Sequence, residues 1–126
     1  YVAETQPGGD GTILAPGLLT ATADLHARKA GASAFFPGRC DLHSQLQEHE
    51  IRSLLITGLV TNVCCESSAR DACELGYQVT MVSDANVGHS FGLHEASLRT
   101  FFRVFGDVRP AADVVNLIEQ ADTRMR

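Results

Sequence analysis

The sequence predicts a single α/β domain built on a parallel sheet, and three features point to it. Ser53 to Ile56 is a short apolar run closed by Thr57 and Gly58, the pattern of a strand buried inside a parallel sheet. From about Val63 to Leu75, Cys65, Ala69, Ala72 and Gly76 recur at helical spacing, giving a stripe of small residues suited to face that sheet. Thr61 and Asn62 are good helix-capping residues, so a strand, a tight glycine-containing turn and a helix start follow one another closely.

Around this centre the other elements are expected in order. Tyr1 to Leu19, with Pro7, Gly8, Gly9, Gly11, Pro16 and Gly17, reads as a surface loop. A strand is expected from about Asp24 to Ala30, with Lys29 near its carboxyl end, where α/β sheets place their sites. Gly38 to Glu50 reads as an exposed amphipathic helix with Leu42 and Leu46 one turn apart. Gly76 stops the central helix, Tyr77 to Val82 forms the next strand, and Ser83, Asp84 and Asn86 end it at the edge of the site. His89, Ser90 and Phe91 fall in a glycine-flanked loop, and His94 opens a helix carrying Leu98, Phe101, Phe102 and Phe105. A short strand at Asp107 to Arg109 follows, then Pro110 opens a last helix with an Ala111, Val114, Val115, Ile118 stripe.

Composition narrows the function. The 126 residues, 44% of them hydrophobic, suit one domain with a sizeable core. A formal charge of −5, with no long Lys/Arg cluster, argues against a nucleic-acid partner. No apolar run is long enough to span a bilayer, so no membrane role is expected. Cys40, Cys64, Cys65 and Cys73 do not fall at metal-ligand spacings and make a poor disulfide framework, which suits a reducing cytoplasm and no cofactor. Nine of the ten basic residues are arginine, and the single lysine is Lys29. A compact ammonium can be desolvated and tuned where a guanidinium cannot, which singles Lys29 out.

Cys64 falls in the first turn after the central strand. A helix N-terminus there offers backbone N–H groups and the positive end of the dipole, both favourable to a thiolate and to an adjacent oxyanion. Cys65 lies on the stripe with Ala69 and Ala72, whereas Cys64 sits about 100° away, toward the carboxyl end of the strand. Cys64 is therefore the candidate nucleophile and Cys65 a packing residue. His89 and His94 are candidate bases, since Cys/His pairs are a known arrangement.

The stretch TGLVTNVCCESSARDA, with Gly58, Thr61, Cys64 and Ala69 to Ala72, resembles the signature of the isochorismatase-like cysteine hydrolases. Upstream, KAGASAFF resembles the family's lysine element through Lys29, Ser33, Ala34, Phe35 and Phe36. Downstream, VSDANVGHSFGLHEASLRTFFRVFGDV resembles its Ser-Asp-Ala segment and following helix. The resemblance implies a Rossmann-like three-layer α/β/α sandwich with a mainly parallel sheet. It also implies that residues 1–126 form one hydrolase domain, that Leu59–Val60 is a cis peptide, and that the protein is a homo-oligomer.

The resemblance further implies a small-molecule amide substrate. Cys64 would attack its carbonyl and form a thioester, with Lys29 holding positive charge beside the thiolate. The backbone N–H groups of Val60 and Cys64 would make the oxyanion hole, and Leu59, Thr61 and Asn62 would brace the turn. The resemblance implies loop or capping roles for His89 and His94. One element departs from the family. Its general-base aspartate lies on a first strand in an Asp-x-Gln-like context, and no segment before Lys29 resembles that strand; Asp10 and Asp24 stand in the wrong surroundings. The domain is thus expected to be incomplete at its N-terminus, with any metal ligands of the family also in the absent part. Retention of the thiol favours the amidase branch, such as nicotinamidases and ureidoacrylate hydrolases, over isochorismatases proper, which cleave a vinyl ether and can dispense with it. A catalytically inactive interaction module with a redox-sensitive thiol is the remaining alternative.

Overall fold

The computed structural model of the protein describes residues 17–125, so most of the expected Tyr1 to Leu19 loop lies outside the described residues. In chain order the elements are α1 (Leu42–Glu48), β1 (Ser53–Leu59), a π-helical turn (Thr61–Cys65), α2 (Glu66–Glu74), β2 (Gln78–Val87), α3 (Phe91–Val104), β3 (Asp107–Arg109) and α4 (Ala111–Met125). The strands pair in parallel in the order β1-β2-β3. Strands alternating with helices give this arrangement because each parallel connection must cross a face of the sheet.

The core lies on one face. Val79 and Met81 of β2 meet Cys65, Ala69 and Ala72 from the π turn and α2, Leu98 and Phe101 of α3, and Phe35 and Leu46 from the segments before β1. The small residues of the α2 stripe let that helix approach the sheet closely, while Phe101, fully buried, fills the volume between α3 and β2. Successive strand residues point to opposite faces, so Val82 is buried outside this cluster, as is Val114 of α4, a helix that packs on β2. Helices thus flank the sheet on both sides.

Several expected boundaries move. Residues 24–30 form no strand. They are exposed and hold only one large apolar side chain, Leu25, so there is no face to bury against the sheet. Instead the Ala30 N–H donates to the Arg39 carbonyl (2.9 Å), and the Arg39 guanidinium returns to the Ala30 carbonyl. The helix expected over Gly38 to Glu50 is only α1, because Gly38 at φ 72° and Glu50 at φ 55° are left-handed positions that a helix cannot include.

β1 continues past Ile56 to Leu59. Gly58, at φ 117°, takes a conformation closed to other residues, which lets the chain carry on to the site. The expectation that β1 is buried on both faces fails: Leu55, Thr57 and Leu59 are exposed. Leu55 shares its face with Thr80 of β2, the face that α4 covers over β2, and among the described residues no strand pairs with the outer edge of β1.

β2 runs to Val87 rather than ending at Val82. The register steps from Ile56↔Met81 to Gly58↔Asn86, so β2 carries extra residues between those pairs. Asn86 bridges the gap by donating from Nδ2 to the carbonyls of Ile56 (2.8 Å) and Val82 (2.7 Å). Asp84, expected at the site, instead accepts the N–H of Ala111 at the start of α4 (2.7 Å). α3 begins at Phe91, capped by Ser90, whose Oγ accepts the Leu93 N–H; His94 lies inside its first turn rather than opening it. The short β3 and the helix after Pro110 lie where the sequence predicts them.

Candidate active site

The site forms where β1 ends. The Leu59–Val60 peptide is cis. Val60 is extended (φ −99°, ψ 136°), and its carbonyl accepts from the N–H groups of Val63 (3.0 Å) and Cys65 (3.3 Å). The five-residue spacing of the second bond makes Thr61–Cys65 a π-type turn, wider than an α turn. Cys64 therefore sits on a π turn at the carboxyl end of β1, one turn before α2 proper. Thr61 and Asn62 are not side-chain caps, since Val60 takes the cap position and no side-chain cap bond forms. The Thr61 hydroxyl instead lies 2.9 Å from Nδ1 of His94, and Asn62 keeps a buried Oδ1 without a partner.

Lys29 reaches this turn from its loop. Its Nζ donates to the Gly31 carbonyl (2.9 Å) and lies 3.6 Å from Sγ of Cys64. The loop is tied to α2 by the Ala34 N–H, which donates to Ser68 Oγ (3.0 Å), and by buried Phe35. A backbone excursion with two anchors thus does the positioning that a strand was expected to do. Cys64 is half-buried and Cys65 is buried in the core cluster. Burial pushes the Cys65 thiol above its ordinary pKa, the neighbouring Cys64 adds to the rise, and Lys29 and a backbone hydrogen bond oppose it.

Cys64 and Lys29 share an apolar cleft of about 360 Å³ with Phe35, Leu54, Ile56, Leu59 and other side chains along β1. Among the described residues no carboxylate lines it. Asp24 accepts the Ala21 N–H (2.7 Å) away from this cleft, and Asp10 lies outside the described residues. His89 is exposed. Among the described residues no group of three His, Cys, Asp or Glu could hold a metal ion.

A thiol on a strand-to-helix turn with an ammonium beside it is an arrangement that many unrelated sequences could reach. The isochorismatase domain model matches residues 1–113. The chain belongs to the isochorismatase family. This family member is 32% identical over 122 residues to an uncharacterized isochorismatase family protein, YwoC, of Bacillus subtilis, covering 92% of this chain and 64% of that protein. It is 37% identical over 100 residues to the ureidoacrylate amidohydrolase RutB of Agrobacterium fabrum, covering 78% of this chain and 42% of RutB. Among solved structures, a cysteine hydrolase from Pseudomonas syringae pv. phaseolicola superimposes with a TM-score of 0.82 at 30% identity, over 90% of this chain and 58% of that one. The isochorismatase-family chain thus spans well under the full length of these relatives.

Beyond the pair that the sequence singles out, the structure assembles side chains whose partners lie far off in the chain. Glu66 accepts from Arg70 through Oε1 and from the Ser97 hydroxyl through Oε2 (2.5 Å), and Arg70 stacks over Phe105. These contacts join the start of α2 to α3. Glu66 and Arg70, four apart on one helix, form an ion pair. Ser97 and His94 gave no signal of their reach to residues more than thirty positions away.

Proposed function

We propose that this isochorismatase-family chain carries the nucleophile of a cysteine hydrolase that cleaves a C–N amide bond of a small molecule. The observation that carries the reading is Lys29 Nζ at 3.6 Å from Cys64 Sγ, in a cleft open to a small ligand. The likeness to an amidohydrolase, RutB, supports an amide as the substrate class. The ammonium sets a positive charge directly beside the attacking sulfur.

In this reading the Cys64 sulfur attacks the amide carbonyl carbon, forming a C–S bond while the carbonyl oxygen takes the negative charge. The backbone N–H groups of Val60 and Cys64 serve that oxygen as donors. Collapse of the tetrahedral adduct breaks the C–N bond, the amine leaves with a proton, and a thioester remains on Cys64. Water then attacks the thioester carbonyl, releasing the acid and the free thiol. Among the described residues lining the cleft there is no carboxylate to take the proton from this water. Thr61 and Asn62 act by holding the turn, and Leu59, which precedes the turn, also lines the cleft.

Ammonia release from a panel of small primary amides tests the reading, with Cys64→Ala and Lys29→Ala as controls. A thiol mechanism predicts a loss of at least about a thousandfold for Cys64→Ala and a substantial loss for Lys29→Ala. Equal turnover by the wild type and Cys64→Ala would remove it. Vinyl-ether cleavage that survives Cys64→Ser would place the chain in the isochorismatase branch instead.

A further inference from the structure

We infer that His94 and Ser97, one turn apart on α3, are positioning residues that hold the Cys64 turn at both of its ends. The inference rests on Cys64 being the nucleophile. Thr61, the first residue of the π turn, is fully buried, so its hydroxyl needs a partner inside the protein, and His94 Nδ1 at 2.9 Å supplies it. Ser97, on the same face of α3, lies with its Oγ 3.5 Å from the Thr61 carbonyl and donates to Glu66 Oε2 at 2.5 Å. Thr61 and Glu66 flank Cys64 in the chain, so one helix face grips the nucleophile segment before and after the sulfur.

The gripping helix is itself held in register with the sheet. Gly88, just past the end of β2, packs so closely on His94 that a Cβ there would lie 2.9 Å from the His94 Cβ. No larger residue fits without moving the first turn of α3. Upstream, Asn86 fixes the end of β2 against the β1 carbonyl of Ile56. The position of the sulfur relative to Lys29 is therefore set from two directions: Ser68 anchors the lysine loop, and His94 and Ser97 anchor the turn.

Cys64 reactivity measures this without any substrate. Iodoacetamide labelling of the folded chain, resolved to Cys64 by fragment-ion mass spectrometry with Cys40 as internal reference, is compared for the wild type, His94→Ala, Thr61→Val, Thr61→Ser and the His94→Ala/Thr61→Val double variant. His94→Ala and Thr61→Val are expected to slow Cys64 labelling several-fold, since a displaced turn carries the sulfur away from the Lys29 ammonium. Thr61→Ser, which keeps the hydroxyl, should stay within about twofold of the wild type. The double variant should be no slower than the slower single, as expected when both changes remove one contact. If the melting temperature falls in the single variants while Cys64 labelling is unchanged or faster, the contact is structural only and the inference is wrong. Because no amide is involved, a failure to find amide turnover would bear on the proposed activity and leave this result standing.

Discussion

The Cys65 thiol stays protonated to a higher pH than an ordinary cysteine because burial disfavours its charged form, while its neighbour Cys64 faces a cleft and a lysine. Two adjacent sulfurs should therefore react very differently. At pH 8, iodoacetamide is expected to label Cys64 at least about tenfold faster than Cys65, and Lys29→Met should slow the Cys64 reaction several-fold. Peptide mapping of a labelling time course checks this, and faster labelling of Cys65 would contradict it. The distinction was legible in the sequence, because Cys65 shares a helical stripe with Ala69 and Ala72 and Cys64 does not. Lys29 was legible as the lone lysine in an arginine-rich chain. Thr61 was legible as a residue of the turn, but its partner was not: a hydroxyl to imidazole bond across 33 positions leaves no local pattern to read.

Elements were legible where their period was strong and were misplaced where tertiary contacts override local preference. The strand expected at residues 24–30 rested on position near a lysine rather than on alternation, and the chain there finds a loop held by Arg39. β2 was cut short at Val82 because Ser83, Asp84 and Asn86 look like turn residues. In the folded chain Asn86 bonds the carbonyls of Ile56 and Val82, and Asp84 caps α4, so each polar side chain supports an irregular but continuing strand. Asn86→Leu removes both donors at similar volume and is expected to cost about 2 to 4 kcal/mol of stability. Urea unfolding reads it directly. A change below about 0.5 kcal/mol would mean that the register step does not depend on this side chain.

At the scale of the molecule, the parallel sheet followed from the apolar strand run and the helix after it, and the helices on both faces from the family resemblance. The exposure of one face of β1 did not, since an apolar run looks the same whether one face or both are covered. The titratable groups also act globally. Burial raises the pKa of Cys65 and Cys73, with Glu74 adding to the effect on Cys73, and burial raises that of Tyr77. For groups neutral when protonated, a raised folded-state value means that the unfolded chain loses its protons first. Stability should therefore hold below about pH 9, the ordinary value for a cysteine thiol, and decline as the pH rises from there toward the folded-state values. Urea midpoints of the reduced protein between pH 7 and 10.5 test the sign, and a midpoint that rises through that window would contradict it.

A thiol mechanism requires a covalent bond to form at the Cys64 sulfur. Acid quenching during turnover of a reactive small amide, followed by mass spectrometry of the peptide that spans Ser53 to Arg70, should find the acyl group of the substrate on Cys64 and on no other residue. Turnover that continues undiminished in Cys64→Ala, with no acyl adduct on the wild-type peptide, would contradict it.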